Sequence, residues 1–544
     1  MHPTDVRDAA GATVPQAKAR LWRLAILSAA VFALLLKLAL AWNTFGTNDV
    51  YAWERFSFWS RLLGAGAYRA NPDFNHPPSM IHLLSFIGWL SETTGIGFPF
   101  WIRLPAILAD TGSLWLVWRL LRPRLHIASV RWGILLVALS PALILISGFH
   151  GNTDPEMIFF MLLSVWLTGT GANDWMAGAA VGAAMCFKVV PVIAIPAMFF
   201  YRRGFRRRGI FLASLLGVIV LAWSPYILRE PVFIFQRVFG YRTLYSVWGI
   251  TWLLDLATSR SPQWQGLNSL FQSYGGYVVI GAIGAFSYRV NRRVAKPDLF
   301  RQVGASMSLF LAAANGFGVQ YLAWLVPWIA GVDIFAATVF SAAGGIYLFL
   351  TYDYWAGGLP WYLADVNYRR EYHGQLDVAA AICWLSVVLL AWSAWRRDSD
   401  SPRRRALLWI AAAGVLAYPM VRYSTDAKRP TDGDRITVTK MRGDDYVDLA
   451  VRIESVGKNW GNVGAADRAL ALDPDLKAAT IDIPTVPLAS LWDTLAESYA
   501  DRGRWDESIM AAQKALRVDP GFEKAASGLA RGLAGKKQSL AGVE

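Results

Sequence analysis

The sequence predicts an all-α protein: a polytopic transmembrane helical bundle of about thirteen spans, followed by a small C-terminal α-helical repeat domain. Three observations predict it. First, the 544 residues are 55% hydrophobic with a mean hydropathy of +0.33, and the apolar residues come in blocks of about 17–25, the length a helix needs to cross a bilayer. Second, Trp occurs 26 times. Trp42, Trp101, Trp132, Trp328 and Trp395 stand near block ends, where an amphipathic ring prefers the lipid–water interface. Third, the charge is unevenly placed. The formal charge is +14, yet from Tyr423 onward 17 Lys and Arg face 19 Asp and Glu, so the preceding residues hold 36 basic against 20 acidic. Much of that excess lies in short runs between apolar blocks, such as Arg202-Arg203 with Arg206-Arg207-Arg208, Arg289 through Lys296, and Arg396-Arg397 with Arg403-Arg404-Arg405. Runs placed this way are cytoplasmic loops of a membrane protein, and they speak against a nucleic-acid partner.

The elements follow in order. Residues 1–20 are a polar, cytoplasmic N-terminal segment, and the apolar run Leu21–Trp42 reads as an uncleaved signal anchor, although Ala39-x-Ala41 weakly resembles a peptidase site. The next clearly basic segment is Arg119 through Arg131, so an odd number of crossings separates it from Asn43. Phe98–Leu121 is long enough to span and Pro78–Leu90 is not. Residues 43–98 therefore form one extracytoplasmic loop containing a helix at the membrane surface. Further spans are expected near 132–148, 155–172, 175–188, 190–203, 209–228, 273–289, 301–316, 320–332, 334–351, 376–395 and 405–422. They complete a membrane domain over residues 21–422 and leave the C-terminus outside, in the periplasm if the membrane is an inner membrane.

A polar linker, residues 423–435, leads to a soluble domain over residues 436–544. Ala465-Ala466 through Asp473-Pro474, and Leu495 through Asp519-Pro520, share small residues, a Gly turn and a terminal Asp-Pro. They resemble tetratricopeptide repeats, with the stretch Ile481–Leu488 as an insertion. The two Asp-Pro pairs stand 46 residues apart, against about 34 for that repeat. Such a module suits a protein partner. Cys186 and Cys383 each lie inside an apolar block, so neither a structural disulfide nor a zinc site is expected, and no metal.

The chemistry concentrates in the outside loops. Asn48 and Asp49 follow the first span directly. A carboxylate at that depth is costly unless paired or at work. Asp49 is either a general base toward an acceptor hydroxyl, or Asn48 or Asp49 caps the amphipathic segment Val50–Leu63. His76, before Pro77-Pro78, contacts a phosphate or acceptor or is an ordinary loop histidine. His150, Asn152 and Asp154 join two spans on the same side, where they line a cavity with Asp49 or simply make a turn. Arg103 and Asp110 share one helical face and serve either pairing between helices or substrate contact. Arg242 lies at headgroup level in an outside loop, for phosphate of the substrate or of lipid.

Taken in order, several of these segments resemble the GT-C superfamily, the polytopic glycosyltransferases that use polyprenyl-phosphate sugars, and in particular its GPI-type and bacterial mannosyltransferases. The resemblance lies in Asn48-Asp49-Val50-Tyr51, then His76-Pro77-Pro78 where the family has a tyrosine before the prolines. It continues with Arg103 to Asp110 and Leu114 through Leu121, Lys188-Val189-Val190-Pro191, and Gly318-Val319-Gln320-Tyr321-Leu322-Ala323-Trp324. It spans about residues 20–350 and omits the tail. It implies an inverting transfer of a monosaccharide, such as mannose, from a polyprenyl-phosphate donor to a hydroxyl on a lipid, glycan or protein. Asp49 would be the base, and Lys188, Arg242 and Gln320 would meet the departing phosphate. Asn48, His76, His150, Asn152, Asp154 and Tyr321 would line the substrate site, without a cofactor. Three rivals remain at this level, one of them a non-catalytic scaffold that organises an envelope complex through the repeat tail. A lipid-linked glycan ligase or polymerase would use the late loop Tyr352–Asp377, with Arg369, Arg370 and His373. A transporter or flippase would show inverted repeats, and none is visible.

Overall fold

The protein is described here from a computed structural model, which covers residues 16–71, 73–171, 173–241, 248–356, 359, 361, 363–364, 375–395, 493, 496–497, 500, 505–518 and 520–541. These residues divide into two compact units, one within Met1–Gly358 and Leu363–Ile436, the other within Leu359–Tyr362 and Thr437–Glu544.

The first unit is helical throughout, apart from two short strands. Six of its helices are long and apolar enough to cross a membrane: Ala19–Asn43, Phe98–Leu121, Ile127–His150, Phe205–Ile227, Ile334–Ala356 and Leu376–Ala394. Shorter helices occupy other expected spans, Asp154–Gly169, Asp174–Met185 and Leu299–Ala313, while Gln265–Arg293 overruns the expected 273–289. Two expectations change form. Residues 190–203 resolve into the 3-10 turn Val190–Ile193 and the helix Ile195–Tyr201, and residues 320–332 into the 3-10 turn Val319–Trp324 and the helix Val326–Val332. Pro191, Pro196 and Pro327 sit in these segments, and a proline removes a backbone donor and crowds the preceding turn. A seven-residue helix is only about 10 Å long, so neither segment crosses a bilayer as one continuous helix. The expected span 405–422 lies outside the described residues.

Large apolar side chains such as Leu24, Leu27, Phe32, Leu216 and Leu221 are exposed on the first and fourth of the long helices, as lipid-facing helices require. Inside the bundle, polar groups are matched in pairs. Lys37 and Asp110 form a buried ion pair at 2.6 Å between the first and second long helices. Arg103 is fully buried and spends its fork on oxygen atoms of three segments: Pro99 on its own helix, Ala41 and Thr44 at the end of the first helix, and Gly148 and Phe149 before the turn at Gly151. Of the two roles open to Arg103 and Asp110, the geometry is that of pairing between helices.

The outside loop is itself folded. Asn48–Leu63 packs on Met80–Thr94, and Ser57 donates to the Leu84 carbonyl between them at 2.7 Å. Pro77 and Pro78 form the turn that launches the second of these helices, accepting from Met80 and Ile81 at 2.9 and 3.1 Å.

In the second unit, Trp505–Val518 and Glu523–Ala541 are two helices that pack on each other, with Ala511, Ala512, Ala515 and Ala525 buried. Lys524 pairs with Asp493 at 3.3 Å. Ala511 and Ala515 are among the small residues of the second expected repeat; the first, 465–474, lies outside the described residues.

Candidate active site

Asp49 is placed by what precedes it. Gly46–Thr47 is a two-residue strand paired in parallel with Leu363–Ala364. Gly46 has φ +106°, and a Cβ there would lie 2.5 Å from the Phe149 carbonyl oxygen, so only glycine fits. Thr47 then caps the helix Asn48–Leu63: its hydroxyl accepts from the Asp49 amide at 3.3 Å and donates to the His150 carbonyl at 2.8 Å. This corrects the capping alternative, since the residue before Asn48 is the cap. The Asp49 side chain is left for other work.

The partners of Asp49 come from the second outside turn. Ile146–His150 is one π-helical turn closed by the Gly151 amide on the Ile146 carbonyl at 3.2 Å, a local widening of the kind that gathers at functional sites. It brings His150 Nε2 to 2.9 Å from Asp49 Oδ2, and Asn152 Nδ2 donates to the same oxygen at 3.0 Å. No hydrogen bond reaches Oδ1 among the described residues. The far side of the His150 ring meets the Tyr352 hydroxyl, 2.9 Å from Nδ1. Burial alone would raise the pKa of Asp49, but the His150 ring, the Lys188 charge and the Asn152 amide outweigh it and hold the carboxyl below its ordinary range. With 31% of the side chain exposed, that desolvation is partial. Asp49 is an ionised carboxylate with one oxygen committed and one open.

Beside it stands a second buried group. Lys188 pairs with Asp154 Oδ1 at 2.7 Å, and Trp324 Nε1 donates to that same oxygen at 2.7 Å. Lys188 Nζ lies 5.9 Å from the centre of the Tyr321 ring, which stacks on Trp324 at 4.0 Å. Asp154 is thus the fixed counter-ion of Lys188, and its other oxygen is buried without a partner. His76 lies against Trp53, ring centres 4.3 Å apart, and the Tyr68 hydroxyl donates to its carbonyl. Burial and the nearby Lys188 push the His76 imidazole down to about 3. It is therefore neutral, and the cations that hold Asp49 charged are others.

The structure therefore gathers Asp49, His150, Asn152, Asp154, Lys188 and Tyr321 into one region, with His76 at its edge through Lys188 and Asp49. Asn48 opens the helix beside Asp49. Gln320 sits half-buried next to Tyr321 in its turn, with no hydrogen bond to the cluster among the described residues. Arg242 lies outside the described residues. Thr47, Trp324 and Tyr352 take part although sequence reasoning assigned them no role; only the inclusion of Trp324 in the Gln320-Tyr321 segment, and of Tyr352 at the start of the late loop, pointed their way. Among the described residues, no three His, Cys, Asp or Glu side chains converge as metal ligands would.

Residues 75–226 match the family described as dolichyl-phosphate-mannose-protein mannosyltransferase. The match covers 152 of the 544 residues. The match begins beside His76 and takes in His150, Asn152, Asp154 and Lys188, most of the cluster just described. A solved structure with some similarity to this chain is the oligosaccharyltransferase of Archaeoglobus fulgidus in its apo form, at 12% identity and a TM-score of 0.33 over 77% of this chain. This chain covers 62% of that one, less than two thirds of its length. No curated protein matches.

Proposed function

We propose that the protein moves a monosaccharide, mannose first among the sugars to test, from a polyprenyl-phosphate donor to an acceptor hydroxyl on the extracytoplasmic face of an inner or plasma membrane. The acceptor is a lipid, a glycan or a protein. The observation that carries the reading is the state of Asp49: charged, anchored through Oδ2 by His150 and Asn152, and open at Oδ1. A general base needs these features.

In this reading the acceptor hydroxyl gives its proton to Asp49 Oδ1. Its oxygen attacks the anomeric carbon from the face opposite the lipid, the bond from that carbon to the phosphate oxygen breaks, and the configuration inverts. The bonding electrons leave with the lipid phosphate, whose charge Lys188 is the nearest described cation to meet. Asp154 keeps Lys188 in place meanwhile, and Arg242 remains a candidate second cation.

The test uses membranes containing the full chain, labelled polyprenyl-phosphate mannose and membrane extract as acceptor source. Asp49→Asn should cost about two to four orders of magnitude in turnover and leave donor binding within a few fold. Glu54→Gln should leave turnover near wild type. Asp154→Asn should weaken donor binding, because it frees Lys188 from its counter-ion. Full activity in Asp49→Asn beside a dead Asp154→Asn that still binds donor would transfer the base role to Asp154.

A further inference from the structure

We infer that Tyr352 is a positioning residue for Asp49, acting through His150: its hydroxyl pins the imidazole so that Nε2–H stays on the carboxylate. The inference rests on the reading of Asp49 as the base.

Four atoms in series carry it. Tyr352 Oη stands 2.9 Å from His150 Nδ1, and His150 Nε2 stands 2.9 Å from Asp49 Oδ2. An ionised carboxylate only accepts hydrogen bonds, so Nε2 must carry the proton. Nδ1 then meets a hydroxyl, which donates to a neutral ring or accepts from a protonated one. Both arrangements satisfy the buried nitrogen, and both keep the donor facing Asp49.

The backbone of His150 is held separately, by the Thr47 hydroxyl on its carbonyl. What Tyr352 adds is the orientation of the ring. Tyr352 itself is fully buried and set edge-on to Phe149, ring centres 5.4 Å apart, so its hydroxyl has a fixed position. With phenylalanine there, Nδ1 loses its partner in a buried site, a cost relieved only by turning the ring, and the bond to Asp49 weakens.

The other titratable groups that face Asp49 are Lys188, His76, Tyr241 and Tyr321. Lys188 is paired with Asp154 and His76 rests on Trp53, and the His150→Gln background separates the path through His150 from any other effect of the substitution. A change in the titration of Asp49 in Tyr352→Phe therefore reads the path through His150.

The experiment uses the full chain in lipid nanodiscs with nitrogen-15 histidine, the His150 resonances being identified by their loss in His150→Gln. The Asp49 carboxyl is titrated by infrared difference against Asp49→Asn. Wild type should show Nε2–H in any neutral His150. Tyr352→Phe should raise the Asp49 midpoint by about one pH unit, a tenfold change in its ionised-to-protonated ratio, and should add nothing in the His150→Gln background. An Nδ1–H tautomer in wild type would overturn the inference without any variant at 352. So would an unmoved Asp49 midpoint in Tyr352→Phe, or effects that add in the double variant. Failure of the underlying reading shows elsewhere, as full turnover in Asp49→Asn, and leaves the tautomer and titration results standing.

Discussion

At the scale of single residues, the site depends on which groups carry charge. Asp49 is held ionised by His150, Lys188 and Asn152 against the cost of burial. A base whose pKa is depressed works down to low pH and fails only as pH falls through that depressed value. His150→Gln removes the largest lowering contribution, so the pKa rises and the acidic limb of the pH–rate profile should move to higher pH, with little change on the alkaline side. Rates measured across pH on one membrane preparation decide this. His76 predicts an effect on stability instead. Its pKa falls from 6.5 to about 3 in the fold, so below pH 6.5 the unfolded chain takes a proton that the native one refuses. Stability is then full above that pH and declines as pH drops toward 3. The unfolding midpoint in detergent should fall between about pH 8 and about pH 5, and His76→Gln should flatten that fall. An equal slope in the variant would assign the effect to other groups. That Asp49 was a candidate was readable from its place after an apolar span. That Thr47 and not Asp49 caps the helix was not, because Thr, Asn and Asp are all good caps and adjacent here.

At the scale of elements, two turns must touch. The segment 44–50 and the turn 146–151 approach so closely that a Cβ on Gly151, at φ +79°, would stand 2.5 Å from Val50 Cγ2. Gly151→Ala combines left-handed backbone strain of about 1–3 kcal/mol with that clash. It should lower the melting temperature and cut turnover by tenfold or more, because His150 and Asn152 shift away from Asp49 together. A normal melting temperature with normal turnover would mean that the turn has room to spare. Arg103 staples the same two segments through planar, multidirectional donors. Arg103→Lys keeps the charge and loses the fork, so it too should destabilise the unit. The sequence placed Arg103 on a buried face with Asp110 but left its partners open, since these are backbone oxygens that no side-chain pattern announces.

At the scale of the whole molecule, the predictions concern sides and units. From the distribution of Arg and Lys we propose that residues 423–544 lie on the extracytoplasmic side. A phosphatase reporter fused at Glu544 should be active, and a silent one would change the number of crossings by one. The candidate cluster is built from residues before Leu359, so on the proposed reading truncation after Arg435 should preserve donor binding and weaken only acceptor use or assembly with a partner. Loss of donor binding in a truncated protein that inserts normally would make the tail part of the site.

Composition, block length and charge placement were enough to establish a helical membrane protein, because the bilayer imposes length and sidedness on any chain that crosses it. They were also enough to draw attention to the two outside turns, where costly polar residues interrupt apolar sequence. Two kinds of information lay beyond them. Prolines at 191, 196 and 327 break apolar stretches that read as spans, and only the packed fold shows that the resulting pieces are 3-10 turns and short helices. The cluster itself joins positions 49, 150 and 352, and 154, 188 and 324. No local pattern links residues so far apart, since their proximity comes from how the helices pack. What each carboxylate does was decided there too: Asp154 is neutralised by a lysine it reaches only in the fold, and Asp49 is left charged with one oxygen open.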